Sequence, residues 1–223
     1  VTTTAAPMRA LTDLGPIAQL RAGRLARRLV QLYAGLLLYG FSIALMVRAH
    51  LGLAPWDVLH SGLTRWFPID IGQALVIVSF VVMLGWIPLR ELPGLGTISN
   101  AIVIGVSTDV FLSVFPHVSA VALRLVLLLA GITLQALATA AYIGAQLGRG
   151  PRDGLMTGLA RRTGRSLRLV RTAMELTVVA LGLLLGGVAG LGTIAYALAI
   201  GPLSQALLPP LVVRFPDRGE LPG

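Results

Sequence analysis

The chain has 223 residues, of which 56% are apolar and only 12% charged, against roughly a quarter charged in an ordinary soluble domain. A mean hydropathy of +0.84 excludes a soluble globular domain, and the absence of cysteine excludes structural disulfides and thiolate metal sites. Few aromatics and no alternation of polar and apolar residues argue against a β-barrel, which leaves an all-α, polytopic membrane protein.

Residues 1–28 are polar and then basic (Arg21, Arg24, Arg27, Arg28). They lack the short apolar core of a cleaved signal peptide and are expected to form a cytoplasmic tail. A first membrane repeat, 29–115, follows. It holds a span over Leu29–Val47, the segment LGLAPWDVLHSGLTR from Leu51 to Arg65, a span over Ile71–Leu89, and a span over Leu95–Val114 opened by GLGTI at Gly94. The second repeat, 123–211, has spans over Leu123–Gln146, Leu167–Val188 and Leu191–Leu211. LGRGPRDGLMTGLAR (Leu147 to Arg161) stands between the first two and GLGTI at Gly190 before the third. Residues 212–223 are expected to be a cytoplasmic C-terminal tail. Each apolar run approaches the roughly 20 helical residues that cross a bilayer.

The two copies keep one register, 96 positions apart, without a gap. Leu51, Gly52, Pro55, Asp57, Leu59, Gly62, Leu63 and Arg65 recur as Leu147, Gly148, Pro151, Asp153, Leu155, Gly158, Leu159 and Arg161. Gly94, Gly96 and Thr97 recur as Gly190, Gly192 and Thr193. A duplicated unit with three crossings must insert its second copy upside down, so two inverted three-helix repeats are expected, each with a short broken or interfacial helix. The charges agree. With the N-terminus inside, inner segments carry Arg90, the cluster Arg149, Arg152, Arg161, Arg162, Arg165 and Arg168, then Arg214 and Arg218. Outer segments carry only Arg48, Arg65 and Arg124. Trp56 and Trp66 are expected at the outer interface and Trp86 near the inner one. A competing count, with each LGxxPxD segment a full crossing, gives eight spans in parallel repeats. Basicity of this kind sets topology and touches anionic headgroups, so lipid rather than nucleic acid is the expected partner.

Within the repeated element, Pro55 suits the first turn of a new helix, since its φ is fixed and it lacks the N–H that would be unpaired there. Asp57, two residues later, lies within reach of the positive helix end. Leu59 and Leu63 form an apolar stripe and Gly62 leaves room for a close neighbour; Pro151, Asp153, Leu155, Gly158 and Leu159 repeat the pattern. Two readings stand: Asp57 and Asp153 point into a central site, as in transporters with discontinuous helices, or both are first-turn caps. Gly94, Gly96, Gly190 and Gly192 allow a tight turn, and Thr97 and Thr193 can cap or back-bond there. Polar residues inside spans are expensive and mark pathways. Asp109, Asn100, Glu175 and Gln205 are the lining candidates, with Tyr196, Gln135 and Gln73 adding hydrogen-bonding capacity. Asp109 could instead be solvated at a span end, and Arg171, four residues before Glu175, could form an intrahelical ion pair with it. His50, His60 and His117 lack metal-ligand spacing, no hydrolase or nucleotide motif occurs, and neither a metal, a cofactor nor enzymatic activity is expected.

The duplicated LGxxPxDxLxxGL and GLGTI elements resemble the YczE-like bacterial membrane proteins, grouped as YczE, YyaS and YitT, over roughly Arg28 to Leu211. That resemblance implies a multi-pass protein of the bacterial plasma membrane, both termini cytoplasmic, and no catalytic set. The copies differ at Trp56/Arg152 and His60/Met156, so a site between them would be chemically asymmetric. The leading expectation is a small secondary transporter or permease whose solute or ion passes between the repeats. The rival is a non-transporting scaffold or accessory subunit that uses the small-residue face of Gly182, Gly186 and Gly187, with a homo-oligomer also open. Asn for Asp109 and Gln for Glu175 is the substitution pair that separates the two.

Overall fold

A computed structural model describes residues 15–215. Ten helices run through them: α1 Pro16–Arg21, α2 Leu25–Ala49, α3 Pro55–Leu63, α4 Ile71–Leu84, α5 Trp86–Leu89, α6 Leu95–Val114, α7 Val121–Gly144, α8 Pro151–Thr163, α9 Leu167–Leu184 and α10 Leu191–Leu211. No strand occurs among the described residues. Five stretches are long and apolar enough to cross a membrane: α2, α4 with α5, α6, α7 and α10. The expected sixth span, Leu167–Val188, is the exception. Its helix α9 carries three charged residues, Arg168, Arg171 and Glu175, among 18, more than a bilayer-crossing helix ordinarily tolerates. At 9 and 13 residues, α3 and α8 are about 14 and 20 Å long at 1.5 Å per residue, too short to be crossings.

The core is the α2–α7 pair, flanked by α6 on α2 and by α10 on α7. Leu32, Leu36, Tyr39 and Ile43 of α2 pack with Ala138 and Tyr142 of α7 and Ile104 of α6. Toward the other end, Met46 and Ala49 pack with Ile132, Ala136, Tyr196 and Ile200.

Each half clasps the other through the same bonds. The Arg28 guanidinium donates to the carbonyls of Ala145 (2.8 Å) and Gln146 (2.6 Å). Arg124, its counterpart at the repeat offset, donates to Ala49 (2.6 Å) and His50 (2.7 Å). The amide of Gly96 bonds Leu147 O (2.7 Å) and that of Gly192 bonds Leu51 O (2.8 Å). The LG turn of each copy therefore docks on the GLGTI start of the other. Gly52 (φ 117°) and Gly148 (φ 133°) take a backbone conformation that side chains oppose. A Cβ on Gly52 would also stand 2.7 Å from Gly190 N. The Thr97 and Thr193 hydroxyls accept from the amides of Gly94 (3.1 Å) and Gly190 (3.2 Å), closing each helix start.

Several expectations need correction. Arg28 is not part of a headgroup-facing tail but is fully buried, because its carbonyl partners at the end of α7 lie inside the bundle. Residues 1–14 of the expected tail lie outside the described residues. The C-terminal tail does not begin at 212: Val213 is buried, its amide bonds Gly144 O (3.0 Å) and its carbonyl accepts from Gln146 (2.8 Å). Residues 216–223, Arg218 among them, lie outside the description. Trp86 is not on a lipid-facing surface, as a residue of an aromatic belt would be; it is 3% exposed, its ring filling the space left by Gly154. In the other copy the sizes are exchanged, with Gly182 against Val58.

Candidate functional site

Short helices α3 and α8 begin where extended chain meets proline. Ala54 and Gly150 are extended (ψ 151° and 156°), and Pro55 and Pro151 open the helices. Leu53 and Ala54 are buried, so the chain enters the bundle before α3 turns back. Trp86 Nε1 donates to Pro151 O (2.9 Å) and holds the start of α8 in place. Both helix starts then face one cavity of about 50 Å³, walled otherwise by α2, α4, α6 and the end of α7. A volume of this order holds a few water molecules.

The polar groups around it fall into two bonded sets, Asp57 with His60 on one side and Tyr142, Asp153, Arg152 and Tyr39 on the other. Asp57 is 4% exposed and its Oδ1 lies 3.0 Å from His60 Nδ1. Tyr142 donates to Asp153 Oδ2 at 2.5 Å. Arg152 Nη2 donates to the Tyr39 hydroxyl at 2.6 Å, and its guanidinium lies 5.8 Å from the centre of that ring. Arg152 Nε is 4.0 Å from Asp153 Oδ1, and both side chains keep about 30% of their surface open. Asn100 and Ser79 complete the polar lining. One guanidinium thus stands beside the Asp153 carboxylate, a second carboxylate, Asp57, lines the same cavity, and two helix starts, each carrying roughly half a positive charge, aim at the same space. Such a site can hold a small polar or charged solute by paired hydrogen bonds. Among the described residues no three His, Asp or Glu side chains come together.

The expected residues divide. Asp57, Asp153 and Asn100 meet at the cavity. Neither aspartate makes a side-chain bond to a helix-start amide; each is engaged with another side chain. Asp109 is elsewhere: its carboxylate accepts from the amides of Gly72 (2.7 Å) and Gln73 (3.1 Å) and closes the start of α4. Gln73 in turn accepts from Asp70 N (3.2 Å). Glu175 is not on the cavity; it pairs with Arg171 (2.9 Å) within α9, although its counterpart Ser79 is there. Gln205 is exposed on α10. Trp56, expected at an interface, lines the cavity instead. Sequence reasoning missed Arg152, His60, Tyr39 and Tyr142 as site residues. The usable signal was the repeat itself, because at Trp56/Arg152 and His60/Met156, where the copies part, Trp56, Arg152 and His60 line the cavity.

Among known proteins, a model described as "Family of unknown function (DUF6198)" matches residues 26–209. The chain is 40% identical over 177 residues to an "Uncharacterized protein" of Haemophilus influenzae, covering 79% of this chain and 81% of that one. It is 33% identical over 180 residues to the "Uncharacterized membrane protein YczE" of Bacillus subtilis, covering 79% and 83%. To "Uncharacterized protein YyaS" of the same organism it is 25% identical over 179 residues, covering 78% and 89%. No solved structure matches. With its duplicated motifs, apolar helices and these relatives together, the chain belongs to the YczE-like family of membrane proteins.

Proposed function

We propose that the protein is a small secondary transporter built from two inverted repeats, with its solute site at the cavity between the starts of α3 and α8. The observation that carries this reading is the meeting of Asp57, Arg152 and Asp153 at one cavity inside a bundle of apolar helices. Ionisable groups at such depth are costly and are kept where they face a solute path. Half-helix starts converging on a central site are the usual construction of inverted-repeat transporters. In this reading α9 is the sixth crossing, its charges tolerated near the arginine-rich end. That end, with Arg90, Arg149, Arg161, Arg162, Arg165 and Arg168, faces the cytoplasm of a bacterial cell.

The test is flux. The protein is purified, reconstituted in liposomes and screened with small amines, amino acids and carboxylates by solid-supported-membrane current and by uptake. The expected result is flux of at least one class, reduced roughly 10- to 100-fold by Asp57→Asn or Arg152→Gln, about 1.4 to 2.8 kcal/mol of lost interaction. No flux of any class, or flux untouched by both substitutions, overturns the proposal. These variants replace Asp109 and Glu175 as the separating pair, because those two carboxylates stand away from the cavity.

A further inference from the structure

One face of α7 carries polar groups that nothing in the bundle satisfies. Gln135 is 1% exposed, and both its side-chain oxygen and nitrogen lack a hydrogen-bond partner. Thr139, one turn on and 9% exposed, has an unpartnered hydroxyl. Other helix hydroxyls behave differently: Thr108, Thr133 and Thr177 each bond the carbonyl four residues back. An unpaired amide near the middle of an apolar helix is expensive and needs an occupant to offset it. The repeat says where that occupant belongs. Gln135 and Thr139 stand at the positions of Tyr39 and Ile43 in the first copy, and those two line the cavity. Arg152 and Asp153 likewise stand at the positions of the cavity residues Trp56 and Asp57. The wall that α4 provides by packing on α6 has no equivalent, because α9 is not packed on α10.

We infer that Gln135 and Thr139 are the polar part of a second solute subsite, related to the cavity by the repeat and completed when α9 closes toward α10. Neither side chain carries charge, so the subsite takes the uncharged hydrogen-bonding portion of a solute. A hydroxyl or amide, able both to donate and to accept, fits the Gln135 amide. The inference rests on the transporter reading and deepens it.

The absence of native cysteine allows a direct test. Thr139→Cys, Gln135→Cys, Asn100→Cys and Ala138→Cys are made singly in the full chain and reconstituted. Each is treated with 2-hydroxyethyl methanethiosulfonate, a small neutral alcohol that modifies thiols exposed to water. Ala138 is fully buried and serves as the dry control. If the subsite opens to water as a minor state, the Thr139→Cys and Gln135→Cys variants react roughly 10- to 1,000-fold more slowly than the surface variant Thr163→Cys, following the population of that state. The Ala138→Cys variant stays inert. If both α7 variants are as inert as Ala138→Cys while Asn100→Cys reacts, the polar pair merely holds a sealed water. The inference then fails with the transporter reading intact. If Asn100→Cys is inert as well, the cavity is closed to solutes and both readings fall.

Discussion

In the first half, α4 lies tightly on α6. A Cβ on Gly105 would stand 2.5 Å from the Gly72 carbonyl oxygen, and Asp109 bridges the two helices by accepting from the Gly72 and Gln73 amides. In the second half the same three positions hold Arg168, Gly201 and Gln205. Arg168 and Gln205 are exposed, a Cβ on Gly201 would meet nothing within 4 Å, and Pro202 interrupts the helix bonding of α10 beside it. The clasps between the halves, in contrast, are reciprocal: Arg28 and Arg124 each donate to the two matching carbonyls of the other copy. The duplication is therefore preserved where the copies hold each other and relaxed where each copy closes on itself. A molecule shut on one side and parted on the other has the asymmetry that alternating exposure of a central site would require.

Substitutions at paired positions can break or sharpen that contrast. The largest effect is expected at the clasp: Arg28→Ala leaves the Ala145 and Gln146 carbonyls without their buried donor and should cost about 2 to 6 kcal/mol, from two orphaned acceptors. The half-exposed counterpart Arg124→Ala should cost less, both read by thermal unfolding in detergent. Next, Gly105→Val should destabilise by about 1 to 3 kcal/mol through overpacking against Gly72. Gly201→Ala, with open space around it, should stabilise by up to about 1 kcal/mol through helix propensity. Equal losses at both sites would mean that α9 does close on α10 in the resting protein. Asp109→Ala should lower stability by about 1 kcal/mol as the start of α4 loses its acceptor, whereas Gln205→Ala should leave it unchanged.

The smallest expected effect concerns pH. His50, at the end of α2 and stacked on His117 with ring centres 6.0 Å apart, has its pKa lowered, first by burial and then by Arg124, His117 and Arg48. Between the ordinary histidine value and the lowered one, the folded protein binds fewer protons than the unfolded chain. Stability should therefore fall as pH falls through that window. His50→Asn, which tolerates the left-handed backbone at φ 51°, should remove that slope in melting temperature against pH.

Much of the helical layout was legible because apolar runs and repeat motifs are local. The expected Leu95–Val114 and Leu191–Leu211 stretches coincide with α6 and α10, and Pro55 and Pro151 open α3 and α8. Asp57 and Asp153 were legible for the same reason, as both belong to the repeated element. Arg152 was not, since an arginine after a glycine-rich turn reads as a topology charge until the fold carries α8 inward. Glu175 and Gln205 misled because their counterparts Ser79 and Asp109 are enclosed or engaged, and only the lateral placement of α9 and α10 decides that theirs are not. Tyr39 and Tyr142 looked like ordinary core aromatics; their hydroxyls acquire meaning only from what α8 brings beside them.

The central claim is that the two copies enter the membrane in opposite directions. Phe67 and Thr163 occupy the same repeat position and both are exposed. Single cysteines are placed there in the cysteine-free chain, and intact bacterial cells are labelled with a membrane-impermeant thiol reagent. Labelling of Phe67→Cys and not of Thr163→Cys, with Thr163→Cys becoming reactive once the cells are opened, is the result predicted here. Labelling of both in intact cells, or of Thr163→Cys alone, would contradict it.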